Sequence, residues 1–181
     1  MAKIVLATFG SLGDLHPKIA LGIELRERGH NVTIAAMEFY REKIGQIGLR
    51  FAPMAPHLDP ENKELGEKLM DARTGTEAIL KGIIMPNLRE MYDDMMRACE
   101  GADVLVTGEI AYAVKSVVEK TGIRWVSTSL TPISFFSRYD PPVPPQAPWA
   151  EHLRPLGPLF HGALLALGKL RTRPWLGKYR E

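Results

Sequence analysis

Strand-like and helix-like patterns alternate along most of this 181-residue chain, which predicts an α/β fold, a Rossmann-like doubly wound parallel sheet flanked by helices. Three observations carry that expectation. The chain opens on Lys3-Ile4-Val5-Leu6-Ala7-Thr8, a nearly continuous apolar run that suits a strand buried on both faces. A glycine loop, Gly10-Ser11-Leu12-Gly13, then leads into an amphipathic stretch. Four further short apolar runs follow, with helical periodicity or turn signals between them.

The first helix is expected over Pro17 to Arg28, with Pro17 in its first turn and Gly29 as its stop. Asn31 to Met37 is the second strand, and helical pattern covers Glu38 to Ile47 until Gly48 breaks it. The third strand is Arg50 to Met54, and Pro53 places it at a sheet edge. After a polar loop, helix is expected from Lys63 to Arg73 and from Thr76 to Glu100, with Pro86 as a kink or restart. Met70, Met85, Met91, Met95 and Met96 fall on these helices and read as core, or as an adaptable wall for a bulky apolar ligand. Ala102 to Thr107 is the fourth strand, Ile110 to Lys120 a helix closed by Gly122, and Arg124 to Ser129 the fifth strand.

The texture then changes. Residues 131–149 are rich in proline, including Pro141-Pro142-Val143-Pro144-Pro145, and favour extended backbone. Residues 151–181 carry six Lys and Arg against two Glu, a net +4 that leaves −2 for the first 150. The domain division expected is therefore 1–150 for the Rossmann-like domain and 151–181 for a basic, apolar helical tail. That tail includes Leu156 to Leu170 and reads as cut before a linker and a second domain. Its apolar stretch either packs on a neighbouring domain or touches a membrane surface through 156–173.

A formal charge of +2 with no general basic footprint speaks against nucleic acid as a partner. The single Cys99 precludes an intramolecular disulfide and fits a reducing, cytoplasmic setting. Neither a secretory leader nor a membrane-spanning run is expected, which leaves only peripheral membrane contact.

The loop before the first helix is where chemistry is expected, because ligands of open α/β sheets bind at the carboxyl ends of the strands. A dinucleotide fingerprint fails there: Gly10 and Gly13 lack the third glycine at the helix start. A P-loop fails for want of Gly-Lys-Ser/Thr, and His16, His30, His57, His152 and His161 show no metal-ligand spacing. Two titratable groups remain in the loop, Asp14 and His16. Asp14 is either an acid–base group or a helix N-cap, with His16 as the other candidate base.

Gly10-Ser11-x-Gly13-Asp14-x-x-Pro17, followed by Gly29-His30-x-Val32-Thr33, resembles the opening of GT-B glycosyltransferases of the family 1 type, which include sterol and antibiotic glycosyltransferases. The likeness continues through Gly48-Leu49-Arg50-Phe51, Ala102 to Thr107 and Trp125 to Pro132. It implies that the chain is one half of a GT-B architecture, the N-terminal acceptor-binding domain of an inverting, metal-independent enzyme. A UDP- or dTDP-sugar would be the co-substrate, held by a C-terminal domain, and a lipid or small-molecule hydroxyl would be the acceptor. This half alone is expected to lack turnover and to bind no cofactor. The resemblance assigns the general base to Asp14. It gives the acceptor pocket to Gly10, Ser11, Gly13, His16, Glu109, Ser129, Thr131 and Phe135. Two rivals stand beside it: a non-catalytic module for an apolar ligand, and a nicotinamide-binding oxidoreductase domain.

Overall fold

The computed structural model describes residues 1–59, 62–71, 74–108, 111–131, 137–141, 143 and 148–177, without the side chains of 76 and 171–177. It divides into two compact units, Met1–Leu130 and Thr131–Glu181.

The first unit is built on five parallel strands: β1 (Lys3–Ala7), β2 (Asn31–Ala36), β3 (Arg50–Pro53), β4 (Val104–Thr107) and β5 (Arg124–Ser127). Their order is β3-β2-β1-β4-β5, so the chain moves outward on one side of β1 and then returns to its other side. β1 is the central strand because it is the most apolar: four of its five residues are buried. Its register sets Leu6 against Ile34 on one side and Val106 on the other. β3 lies at an edge, where Pro53 leaves no inward ladder bond unmade.

Helices cover both faces, which is the doubly wound arrangement. α1 (Leu12–Glu27) and α2 (Arg41–Gln46) cover one face, with Leu15, Ile19 and Ile44 packed against Ile4, Leu6, Val32 and Ile34. Gly22 lets α1 sit close to the sheet; a Cβ there would press on Leu49 and Leu6. On the other face, α5 (Met85–Ala98) and α6 (Val114–Thr121) bring Met95, Val114 and Val117 onto Val5, Ala7, Ala35 and Leu105.

Between β3 and α5 run α3 (Lys63–Met70), one turn at Gly75–Glu77 (α4) and a π-helical stretch, Ala78–Ile84. Pro86 does restart the helix: it occupies the first turn of α5, where its missing N–H leaves no bond unmade. Met91 and Met95 are fully buried, whereas Met70 is 82% exposed and belongs to no core.

Several element boundaries differ from the sequence expectation: α3 ends at Met70, α6 starts at Val114 and β5 ends at Ser127. α1 starts at Leu12, five residues before Pro17, which therefore sits inside the helix. Ser11 is a better helix start than Pro17 because its hydroxyl caps the free N–H groups of the first turn, and that gain offsets the one bond Pro17 removes. The stretch after β2 opens as a 3₁₀ turn, Glu38–Tyr40, before α2. In the second unit a 3₁₀ segment, Pro148–Leu156, precedes the long α7 (Gly157–Gly177). No described helix is long and apolar enough to cross a membrane.

Candidate active site

Strand order decides where the site lies. The loop after β1 and the segment after β4 leave neighbouring strands whose connections run to opposite sides of the sheet. That divergence opens a crevice at the carboxyl ends, the switch point where α/β sheets bind ligands. Gly10, Ser11, Gly13 and Asp14 all lie at the β1 exit.

The loop is held by a closed set of hydrogen bonds. Ser11 is the N-cap of α1 and its Oγ accepts from the Gly13 N–H at 3.2 Å. Asp14 answers from the third helical position: its Oδ2 accepts the Ser11 N–H at 2.9 Å and faces the Ser11 hydroxyl at 3.4 Å. This is a capping box, in which two otherwise unsatisfied N–H groups are paired reciprocally. The cap residue is therefore Ser11; Asp14 contributes the returning carboxylate. Among the described residues, Asp14 Oδ1 accepts no hydrogen bond. The side chain is half-buried. One oxygen is anchored in the cap, and the other takes no part in it.

Gly10 is required by this geometry. Its φ of +129° is reached readily by glycine alone, and a Cβ there would collide with the Asp14 carboxyl. Gly10→Ala is expected to displace the Asp14 side chain and to cut turnover of the complete enzyme as far as loss of Asp14 does, while leaving the core fold intact. Steady-state kinetics beside circular dichroism check this; unchanged kcat would show that Asp14's placement does not matter.

Sequence reasoning missed the supports behind the loop. Tyr40, 2% exposed, donates its hydroxyl to the Gly10 carbonyl at 3.1 Å. Burial, with the Asp14 charge adding to it, raises the pKa of Tyr40 and keeps it a donor. The Thr8 hydroxyl donates to the Asp14 carbonyl at 3.3 Å. Lys18 lies one turn beyond Asp14, is 2% exposed, and donates its ammonium to Thr128 Oγ1. The Thr128 hydroxyl in turn donates to the Thr107 carbonyl at 2.8 Å, and the Trp125 indole N–H reaches Thr107 Oγ1 at 3.0 Å. Burial lowers the pKa of Lys18, and the Asp14 charge partly offsets this. This chain ties the helix that carries Asp14 to the ends of β4 and β5, and so brings Ser129 to the same strand edge. One signal was legible: Lys18 shares a helical face with the apolar residues Leu15 and Ile19 and with Gly22. Tyr40, far off in sequence, carried none.

The remaining predicted residues fall as follows. His16 is on α1 and exposed. Thr131 opens the second unit. Glu109 and Phe135 lie outside the described residues.

One group at metal-ligand distances exists among the described residues, His57, Glu90 and Asp94, although the histidine spacing showed none. Asp94 is committed to structure, however. It is 4% exposed; its Oδ2 accepts the Ala55 N–H at 2.8 Å and its Oδ1 binds the Arg97 guanidinium. Cys99 is also no nucleophile at neutral pH, since burial pushes its thiol up to about 11.

Residues 4–92 match the glycosyltransferase family 28 N-terminal domain. This segment belongs to that domain family. The family 28 domain therefore contains β1 to β3, the capping-box loop and Asp14. Relatives extend the likeness along the chain. It is 30% identical over 145 residues to a vancomycin aglycone glucosyltransferase of Amycolatopsis orientalis, which covers 78% of this chain and 34% of that protein. It is 30% identical over 187 residues to UDP-sugar-dependent glycosyltransferase 52 of Dictyostelium discoideum, covering 99% and 10%. A sterol 3-beta-glucosyltransferase of Candida albicans is 31% identical over 145 residues, covering 74% and 9%. The chain thus spans about a third or less of the length of these relatives.

Solved structures share the fold. A glycotransferase of kitacinnamycin superposes with a TM-score of 0.59 at 20% identity, covering 98% of this chain and 41% of that one. SsfS6, a glycosyltransferase of Streptomyces sp. SF2575, gives 0.56 at 23% identity, covering 86% and 45%. The sheet is thus the Rossmann-like half of a GT-B architecture, as the family 1 resemblance implied.

Proposed function

We propose that this chain is the acceptor-binding half of an inverting nucleotide-sugar glycosyltransferase that transfers a hexose to a hydroxyl of a lipid or natural-product acceptor. One observation carries the reading. Asp14 stands at the switch point with one carboxylate oxygen anchored to Ser11 and the other outside the cap. An alcohol is a weak nucleophile until its proton is removed, and a positioned carboxylate supplies about 10²–10⁴-fold by removing it in the transition state. Asp14 takes that proton while the acceptor oxygen bonds to the anomeric carbon. The bond from that carbon to the diphosphate breaks, and the nucleoside diphosphate leaves from the opposite side. His16, exposed and outside the cap network, is not needed as the base.

The donor is a UDP- or dTDP-sugar held by residues outside this chain. The names of the relatives support this: they include a UDP-sugar-dependent glycosyltransferase and a dTDP-epi-vancosaminyltransferase. A structure of SsfS6 holds thymidine diphosphate. Glu109, Ser129, Thr131 and Phe135 remain candidates for the acceptor wall.

The test is a calorimetric titration of this chain with UDP-glucose and dTDP-glucose, followed by a transfer assay on a panel of sterols and glycopeptide aglycones. Neither nucleotide should bind tightly, and no transfer should occur until the rest of the protein is present. Tight nucleotide binding, or transfer by this chain alone, would overturn the assignment of the two substrates to two halves.

A further inference from the structure

Proton removal by Asp14 leaves one buried charge without a task. Lys18 stands one helical turn beyond Asp14 on α1 and is 2% exposed. Its neighbours on the same face, Leu15 and Ile19, belong to the apolar core. A methionine or leucine at this position would continue that face. Lysine is costly there, because an ammonium taken out of water loses its hydration. Burial accordingly lowers the pKa of Lys18, and the Asp14 charge offsets this only in part. None of the ion pairs among the described residues includes Lys18. Its partner is a neutral hydroxyl, Thr128 Oγ1. One bond to a hydroxyl does not offset the desolvation of a charge. Stability does not explain the residue, and what it holds does.

The hydroxyl it holds is a junction. Thr128 follows the last residue of β5, and its N–H and its hydroxyl both donate to the Thr107 carbonyl, at 2.9 and 2.8 Å. With its proton so directed, the Thr128 oxygen presents its lone pairs to the Lys18 ammonium. Thr107 closes β4, and its own hydroxyl takes the Trp125 indole N–H at 3.0 Å. Lys18 thus joins the helix that carries Asp14 to the exits of two strands. The next residues, Ser129 and Leu130, leave β5 at the same edge of the sheet as Asp14. The capping box is local to residues 11–14 and fixes only the loop. The bond from Lys18 spans 110 residues and fixes the loop against the wall. Transfer needs that precision, since a misplacement of about 1 Å costs about 10²-fold in rate.

We propose that Lys18 is a positioning residue of the transferase: through Thr128 it holds the β5 exit, where the acceptor wall begins, in a fixed place relative to Asp14. Its effect on turnover rests on the transferase reading; its hold on β5 does not.

Lys18→Met tests both. In the complete transferase the variant should lower kcat/KM for the acceptor by about 10- to 100-fold and leave the KM for nucleotide-sugar unchanged. Its melting temperature should equal or exceed the parent's, because an apolar side chain replaces a buried charge. A strut that served stability alone would show the reverse, a lower melting temperature with unchanged kinetics. Thr128→Val should reproduce the kinetic loss, and Thr128→Ser should keep the parent's rate. The double variant, Lys18→Met with Thr128→Val, should be no worse than either single one, as expected of one shared bond. Should Lys18→Met fail to fold, the two Thr128 variants carry the same test. In this chain alone, hydrogen exchange in Lys18→Met should rise from Thr128 to Leu130 and stay unchanged in β1 and β2. Unchanged exchange there, or unchanged acceptor kinetics, removes the proposal. Asp14→Asn separates the two readings: if it loses turnover while Lys18→Met keeps it, only the role of Lys18 falls. If Asp14→Asn keeps full turnover, the reading of the base falls, and the exchange measurement still decides whether Lys18 holds the β5 exit.

Discussion

Asp14→Asn in the complete transferase is expected to lower kcat by about 10²–10⁴-fold, the range a positioned general base contributes, with the KM for nucleotide-sugar unchanged. Asparagine is the informative replacement because Asp14 has two jobs. Its Oδ2 accepts the Ser11 N–H at 2.9 Å, and an amide oxygen accepts that bond equally well, so the capping box and α1 survive. What asparagine lacks is a basic oxygen for the acceptor proton. Asp14→Ala would mix the two effects, since loss of a cap partner costs roughly 0.5–2 kcal/mol of stability. Parallel melting curves and kinetics separate them. A kcat within twofold of the parent, with a normal melting temperature, would reduce Asp14 to a capping residue.

Asp94→Ala is expected to give the largest loss of stability, about 1–3 kcal/mol, because a buried donor is left without its acceptor. The donor is the Ala55 N–H, at 2.8 Å from Asp94 Oδ2 beside a fully buried Ala55. Arg97, whose side chain is largely exposed, loses its partner at little cost, because water replaces the carboxylate. For a chain of this size each kcal/mol moves the melting temperature by roughly 2–4 °C. Asp94→Asn keeps one acceptor oxygen and should lose less. Calorimetric melting of the two variants decides the point; equal melting of Asp94→Ala and the parent would show that the Ala55 N–H finds water instead.

The candidate site was legible only in part. Gly10, Ser11, Gly13 and Asp14 are contiguous, so their glycine spacing and the strand before them located the loop without any tertiary contact. The placement of the helix start failed because Pro17 is a strong local signal, whereas Ser11 and Asp14 make a start only when both bonds of the capping box close. Lys18 shares a helical face with Leu15 and Ile19, but no local pattern names its partner. It became a buried strut once β5 arrived beside β4 and set Thr128 within its reach, 110 residues away in sequence. Tyr40 is thirty residues from Gly10 and was invisible for the same reason. The group His57, Glu90 and Asp94 likewise comes together only when α5 packs beside the loop after β3.

By itself, then, the sequence determined the element order, the edge position of β3, the apolar centre at β1 and the loop that bears Asp14. These follow from periodicity, backbone restrictions and capping chemistry, all of which act over a few residues. Tertiary structure alone decided the order β3-β2-β1-β4-β5, and with it the crevice. It also decided which of Asp14's oxygens is anchored and which polar side chains are buried behind it. Those depend on packing and hydrogen bonds between residues far apart along the chain, where no local pattern records the partner.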